Sequence, residues 1–292
     1  MQTIDTLRRR IDTVEDLQSI VRTMKSLAAV SIRQYEEASE ALADYTRTVE
    51  LGLLALLRQG GAPRPGPTGR ASVTRAYVLF GSDHGLCGRF NEVVLERFAE
   101  AESSHEDTPL VLAVGARAAS ALEAAAHRVT GLELPGGADG LTGLAQSILL
   151  TIDDWQTTHG PLTVDLVHNH RTAGIVADPR VARLLPVDLD RFRGKEAARW
   201  PTRCLPLWTM ETETLLASLV RQYLFVSIFQ AGAESLASEH ASRLSAMQAA
   251  ERNIEEHLDE MQGEYRQRRQ QAITEELLDV VSGFETLSRA EA

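Results

Sequence analysis

The stretch Gly81-Ser82-Asp83-His84-Gly85-Leu86-Cys87-Gly88 gathers a thiol, an imidazole, a carboxylate and three glycines into eight residues. It follows the apolar run Ala76-Tyr77-Val78-Leu79-Phe80 and precedes a helical pattern. A phosphate cradle sits in that position, because backbone N–H groups at a helix N-terminus can face an anion where no Cβ intervenes. The spacing fits neither phosphate template. A dinucleotide loop reads G-x-G-x-x-G, and a P-loop needs Gly-Lys-Ser/Thr where this chain has Gly88-Arg89-Phe90. The residues therefore favour a structural strand-to-helix turn built on Gly81, Asp83, Gly85, Cys87 and Gly88, with a nucleotide-binding enzyme as the rival reading. No recognisable motif places a His and an Asp beside Cys87, so the thiol reads as a small packing residue and not as a nucleophile.

His168 and His170, in Val-His-Asn-His-Arg, stand two apart at a strand end and could share a face as metal ligands do. No third ligand of recognisable spacing accompanies them, so solvated or hydrogen-bonded histidines are the plainer expectation, with no metal and no cofactor. Arg266, Arg268 and Arg269 form a basic cluster whose ordinary meaning is a solvated helix face. Cys87 and Cys204 are the only cysteines, too few for a disulfide framework or a C-x-x-C metal pair, which suits a reducing compartment. The chain carries 30 Lys and Arg against 41 Asp and Glu, a formal charge of -11, and this argues against a nucleic-acid partner. The opening MQTIDTLRRR has no apolar signal region, and the strongest apolar run, Leu51 to Leu57, falls far short of a membrane span.

The elements that position these residues follow from the prolines. All ten lie between Pro63 and Pro206. A proline inside a helix costs about 3 kcal/mol, so both ends are free to be long helices. Apolar residues recur at alternating steps of three and four from Ile4 to Leu56, with polar breaks at Gln18 and Lys25, and again from Leu216 to Ala272. That is a coiled-coil seam. Helices over Thr3–Arg58 and Glu211–Ser282 are expected to pair with each other, antiparallel. The second outruns the first by about 16 residues at 1.5 Å rise each, leaving a tip near Gln267–Ser282 with Ile273, Leu277, Leu278, Val280 and Val281 uncovered. The Gly- and Pro-rich stretch from Gly60 reads as a linker. Beyond it, strands at Tyr77–Phe80, Leu110–Val114 and Leu162–Val167 alternate with helices at Asn91–Ala101, Ala116–Ala126 and Leu141–Trp155. The expected fold is α+β: a long antiparallel two-helix coiled coil with a Rossmann-like α/β domain inserted. Its boundaries are an N-terminal helix at 1–59, a linker at 60–69, a globular α/β domain at 70–210 and a C-terminal helix at 211–292.

Four segments resemble the gamma subunit, the central shaft, of F-type rotary ATP synthases. LRRRIDTVEDLQSIVRTMKSLAAVSI is similar to that family's opening helix and GSDHGLCGRFN to its S-D-x-G-L-C-G-x-x-N loop. LASEHASRLSAMQAAERN and RRQQAITEELLDVVSG are similar to its two C-terminal signatures. The chain departs from the pattern in the acidic Glu36, Glu37 and Glu40, in Thr274-Glu275-Glu276, and in its C-terminal residues. The resemblance implies a non-catalytic rotor shaft that transmits torque between an ion-driven ring and a catalytic (αβ)3 crown, coupling ion translocation to ATP synthesis or hydrolysis. It implies alpha and beta subunits as partners around the upper coiled coil, and an epsilon subunit and a membrane c-ring at the foot. The implied place is peripheral, without membrane insertion, on the cytoplasmic face of a bacterial inner membrane. It assigns crown contacts to Met24, Lys25, Arg243, Arg269, Gln270, Thr274 and Glu276, and no nucleotide to the glycine loop. A free-standing coiled-coil scaffold is the remaining alternative.

Overall fold

The computed structural model describes residues 3–59, 73–103, 108–172, 175–189, 192, 204 and 206–290, the side chains of 175 and 282–290 excepted. The linker expected at 60–69 lies outside the described residues. Helix α1 spans Ile4–Arg58, and a final helix α5 spans Thr212–Ala290. Neither contains a proline, and Gly232 and Gly263 do not interrupt α5. Between them lie strand β1 (Thr74–Phe80), helix α2 (Phe90–Ser103), β2 (Leu110–Val114), α3 (Ala116–Ala124), β3 (Val129–Leu132), α4 (Leu141–His159), β4 (Leu162–Thr172) and β5 (Ile175–Leu185). The fold is thus two long terminal helices enclosing a sheet domain in sequence. Two compact units divide the chain: residues 28–244, and residues 1–27 with 245–292.

In the larger unit the strands run in the order β3-β2-β1-β4-β5. The first four are parallel, and β5 returns antiparallel along β4. Because side chains alternate across a strand, β1 buries Ala76, Val78 and Phe80 on one face and Tyr77 and Leu79 on the other. The first set packs with Leu112, Val114, Val164 and Leu166 against Leu141, Ala145 and Ile148 of α4 and Ile228, Phe229 and Ala233 of α5. The second packs with Val111, Ala113 and Val167 against Val94 and Phe98 of α2 and Ala118 and Leu122 of α3. Covering on both faces is what a parallel sheet requires, and it explains why β1 and β2 read as unbroken apolar runs. Helix α5 holds a window long and apolar enough by composition to cross a membrane, of which 28% is buried. Within it and just beyond, Val226, Ile228, Phe229, Ala231 and Ala233 are buried in this unit.

In the smaller unit, Leu7, Ile11 and Val21 of α1 pack with Met247, Ile254 and Leu258 of α5. The helices run antiparallel, since Gln18 bonds Glu255 while Lys25 bonds Glu251. The two polar breaks in the seam are therefore paired with carboxylates across it.

Candidate functional site

The glycine loop is held closed by its own side chains. Asp83 accepts from the Ala116 backbone N–H through Oδ1 at 2.9 Å and from Leu134 N–H through Oδ2 at 3.0 Å. It thereby caps α3 and ties the loop to the segment after β3. Ser82 N–H donates to Asn91 Oδ1 at 3.0 Å, and Asn91 Nδ2 donates back to Ser82 Oγ at 2.7 Å. Gly81 and Gly115 are demanded by close approach. A Cβ on Gly81 would meet Ala118 Cβ at 2.3 Å, and one on Gly115, where φ is +107°, would meet the Ser82 backbone at 2.8 Å. Gly88 supplies a left-handed turn at φ +58°. Cys87 is buried beside Ser82 Oγ and Asn91 Nδ2, and burial pushes its thiol pKa up. That is the reverse of what a nucleophile needs.

In open α/β sheets ligands enter the crevice at the carboxyl ends of the strands where the order reverses, here between β1 and β4. In this chain α5 occupies that region. A Cβ on Gly232 would stand 3.3 Å from Leu141 and 3.4 Å from Phe80, so the helix crosses the end of β1 in close contact. Ser238 Oγ donates to Val176 O at 2.5 Å. His168 Nε2 and His170 Nδ1, from β4, both meet Glu234 Oε2 of α5, at 3.2 and 3.0 Å. Burial raises the Glu234 carboxyl, but hydrogen bonds from His168 and Gln230 outweigh it and hold the pKa at about 2. The two histidines thus do share a target, and it is a carboxylate of the same chain. Among the described residues no group of three His, Cys, Asp or Glu side chains is arranged to hold a metal.

Arg243 is placed differently from the other residues assigned to crown contacts. Only 8% of it is exposed. Its Nη2 donates to Glu239 Oε1 at 2.6 Å and to the Gly85 carbonyl at 3.4 Å, and its Nη1 donates to His240 Nδ1 at 3.3 Å. The guanidinium is thus engaged within the subunit, under the glycine loop.

In the smaller unit, Met24 is half-buried against the apolar seam, and Lys25 Nζ lies 2.5 Å from Glu251 Oε2. Arg269, Gln270, Thr274 and Glu276 are all exposed on α5. Beyond Tyr265, the last α5 residue packed into the seam cluster, come Ile273, Leu277, Leu278, Val280 and Val281, each between 48% and 69% exposed. The expected apolar tip is present and carries the Arg269 to Glu276 group. A second exposed apolar row, Leu17, Ile20 and Leu27 on α1, went unnoticed in the sequence. Its signal was available as a second apolar register offset from the buried seam.

Residues 3–287 match the family model described as ATP synthase. The chain is 30% identical over 304 residues to the ATP synthase gamma chain of Granulibacter bethesdensis, covering 98% of this chain and 100% of that one. It is likewise 30% identical over 312 residues to the ATP synthase gamma chain of Salinibacter ruber, covering 99% and 100%. Its fold is similar to a chain of the Euglena gracilis mitochondrial ATP synthase rotor, with a TM-score of 0.64 at 18% identity over 92% of this chain and 98% of that one. A loop that binds its own chain, two long helices around a doubly covered sheet and full-length similarity to gamma chains together show that this chain belongs to the ATP synthase gamma-chain family.

Proposed function

We propose that this chain is a non-catalytic rotor shaft, coupling ion flow through a membrane ring to ATP synthesis or hydrolysis in an (αβ)3 crown. The observation that carries the reading is the exposed apolar stretch of α5 from Ile273 to Val281. Five large apolar residues from Ile273 to Val281 are exposed together, preceded by Arg269 and Gln270 and interleaved with Thr274 and Glu276. An apolar surface of that kind marks an interaction site. A sleeve of alpha and beta subunits would cover it, and the exposed row Leu17, Ile20 and Leu27 offers α1 a matching contact. Met24, Lys25, Arg269, Gln270, Thr274 and Glu276 would then meet the crown, where guanidinium–carboxylate geometry can favour one rotor angle over another.

No residue of the shaft performs bond chemistry in this account. Each angle of an asymmetric shaft stabilises a different nucleotide state of each beta subunit, and it can do so only by its differential affinity for those states. The sheet domain at 70–210 is the foot, facing an epsilon subunit and a c-ring. The chain therefore works peripherally at the cytoplasmic face of a bacterial inner membrane.

Purification of the native complex through a tag on this chain tests the reading. Alpha, beta, epsilon and ring subunits should co-purify in fixed proportion, and recovery of the chain alone or as a homodimer would refute it. Within that complex, Arg269→Ala or Glu276→Ala should weaken ATP-driven ion pumping while changing the stability of the chain by no more than about 0.5 kcal/mol, as exposed charge removals do.

A further inference from the structure

We propose that Arg243 is a positioning residue that joins the sheet domain to both shaft helices, so that force applied to the foot is delivered to the shaft through its guanidinium. The proposal rests on the rotor reading above and deepens it. Three contacts carry it. Through Nη2 the side chain reaches the carbonyl of Gly85, in the loop between β1 and α2. Through the same nitrogen it bonds Glu239 on its own helix at 2.6 Å. Through Nη1 it bonds His240, whose ring stacks on Tyr35 of α1 with centroids 5.6 Å apart and planes 13° from parallel. One buried group thereby touches the loop that follows β1, α5 and, by one intermediary, α1.

The loop it reaches is tied to its surroundings by hydrogen bonds. Asp83 and Ser82 tie it to α3, the segment after β3 and α2, as described above, and Arg117 N–H donates to Ser82 O at 2.9 Å. A pull on the sheet therefore reaches Gly85 without being absorbed by the loop. Stability alone does not explain the pair. Both partners are more than nine-tenths buried, at 8% and 5% exposed. Replacing a buried ion pair by apolar residues of similar volume is often neutral or stabilising, whereas such pairs can be kept because they fix one arrangement. His240 is suited to its part: burial and the neighbouring Arg243 charge lower its pKa to about 4, leaving a neutral ring that accepts from the guanidinium.

The test compares pumping with hydrolysis in the complete complex reconstituted in vesicles. The parent complex must first show ATP-driven ion pumping that requires this chain; its failure would refute the rotor reading and not the positioning role. Arg243→Met alone leaves the Glu239 carboxylate buried without its partner, so the double variant Glu239→Leu/Arg243→Met is made beside it to remove the pair and leave no orphan charge. The double variant should assemble at the parent's level, with the ratio of pumped ions to ATP hydrolysed falling well below the parent's. In the same complex, a fluorescent probe on the foot should show wider angular fluctuation relative to the crown. An unchanged ratio in an assembled double variant would overturn the proposal. Failure of both variants to assemble would also overturn it, by assigning the pair to folding.

Discussion

Lys25 Nζ lies 2.5 Å from Glu251 Oε2, and Arg22 Nε lies 2.9 Å from Glu251 Oε1, so one carboxylate on α5 receives two cations from α1. Hydrogen bonds from Lys25 and then Arg22 hold the Glu251 carboxyl below its ordinary pKa. A depressed carboxyl contributes stability above its unfolded-state pKa and loses it as pH falls through the folded one. Glu251→Gln should therefore lower the melting temperature of the chain at neutral pH, and the difference from the parent should vanish in strong acid. Because the pair is near solvent, the difference should also shrink in high salt. Circular-dichroism melts across pH and salt measure it; a difference that persists in acid would mean that the carboxylate acts by packing.

Glu234 sits under two histidines in a drier place, with its pKa held at about 2. Its stabilisation should be complete above the ordinary carboxyl value of 4.5 and be lost progressively as pH falls from there through about 2. Glu234→Ala leaves His168, 5% exposed, without its carboxylate. Stranding a buried polar group costs roughly 1–3 kcal/mol. Chemical denaturation should show a loss of that size at neutral pH, and a loss of a few tenths would remove the clasp between β4 and α5 from the account.

Two glycines should respond in opposite directions. Gly81→Ala forces a methyl to within 2.3 Å of Ala118 Cβ at a junction of β1 with α3, and overpacking of this kind costs typically about 1–3 kcal/mol. Gly263 lies inside α5 with nothing within 4 Å of a built Cβ, so Gly263→Ala should stabilise by up to about 1 kcal/mol through helix propensity alone. Denaturant midpoints for the two variants decide this, and a shift of the same sign in both would contradict the packing described.

Much of this architecture was legible because its causes are local. The absence of prolines and the three-four apolar repeat marked α1 and α5 nearly to their ends, and the paired breaks at Gln18 and Lys25 were visible as polar seam positions. The helix after Leu141 runs to His159, past the expected Trp155, since its final turn is polar and carries no apolar period. Two strands were not anticipated. β3 is a four-residue edge segment, Val129–Leu132, with no fully buried position, and β5 contains Asp178-Pro179, which reads as a turn and is tolerated because the strand lies at the sheet edge. The burial of Arg243 could not be read from periodicity, because it depends on a loop that is 158 residues away in sequence.

The exposed tip of α5 yields a prediction about dynamics. In the isolated chain Ile273, Leu277, Leu278, Val280 and Val281 are exposed, and segments with few buried contacts open readily, so the amides from about Gln267 to Val281 should do so. They should exchange with deuterium quickly in the free protein and slowly in the assembled complex. Strong, equal protection in both would mean that the tip is covered by its own chain.

A rotor shaft must turn within its crown. With the crown immobilised on glass through its beta subunits and a bead attached to the sheet domain, addition of ATP should drive the bead in continued rotation of one sense, halting when ATP is removed. A crown that assembles around this chain and hydrolyses ATP while the bead only jitters would contradict the account.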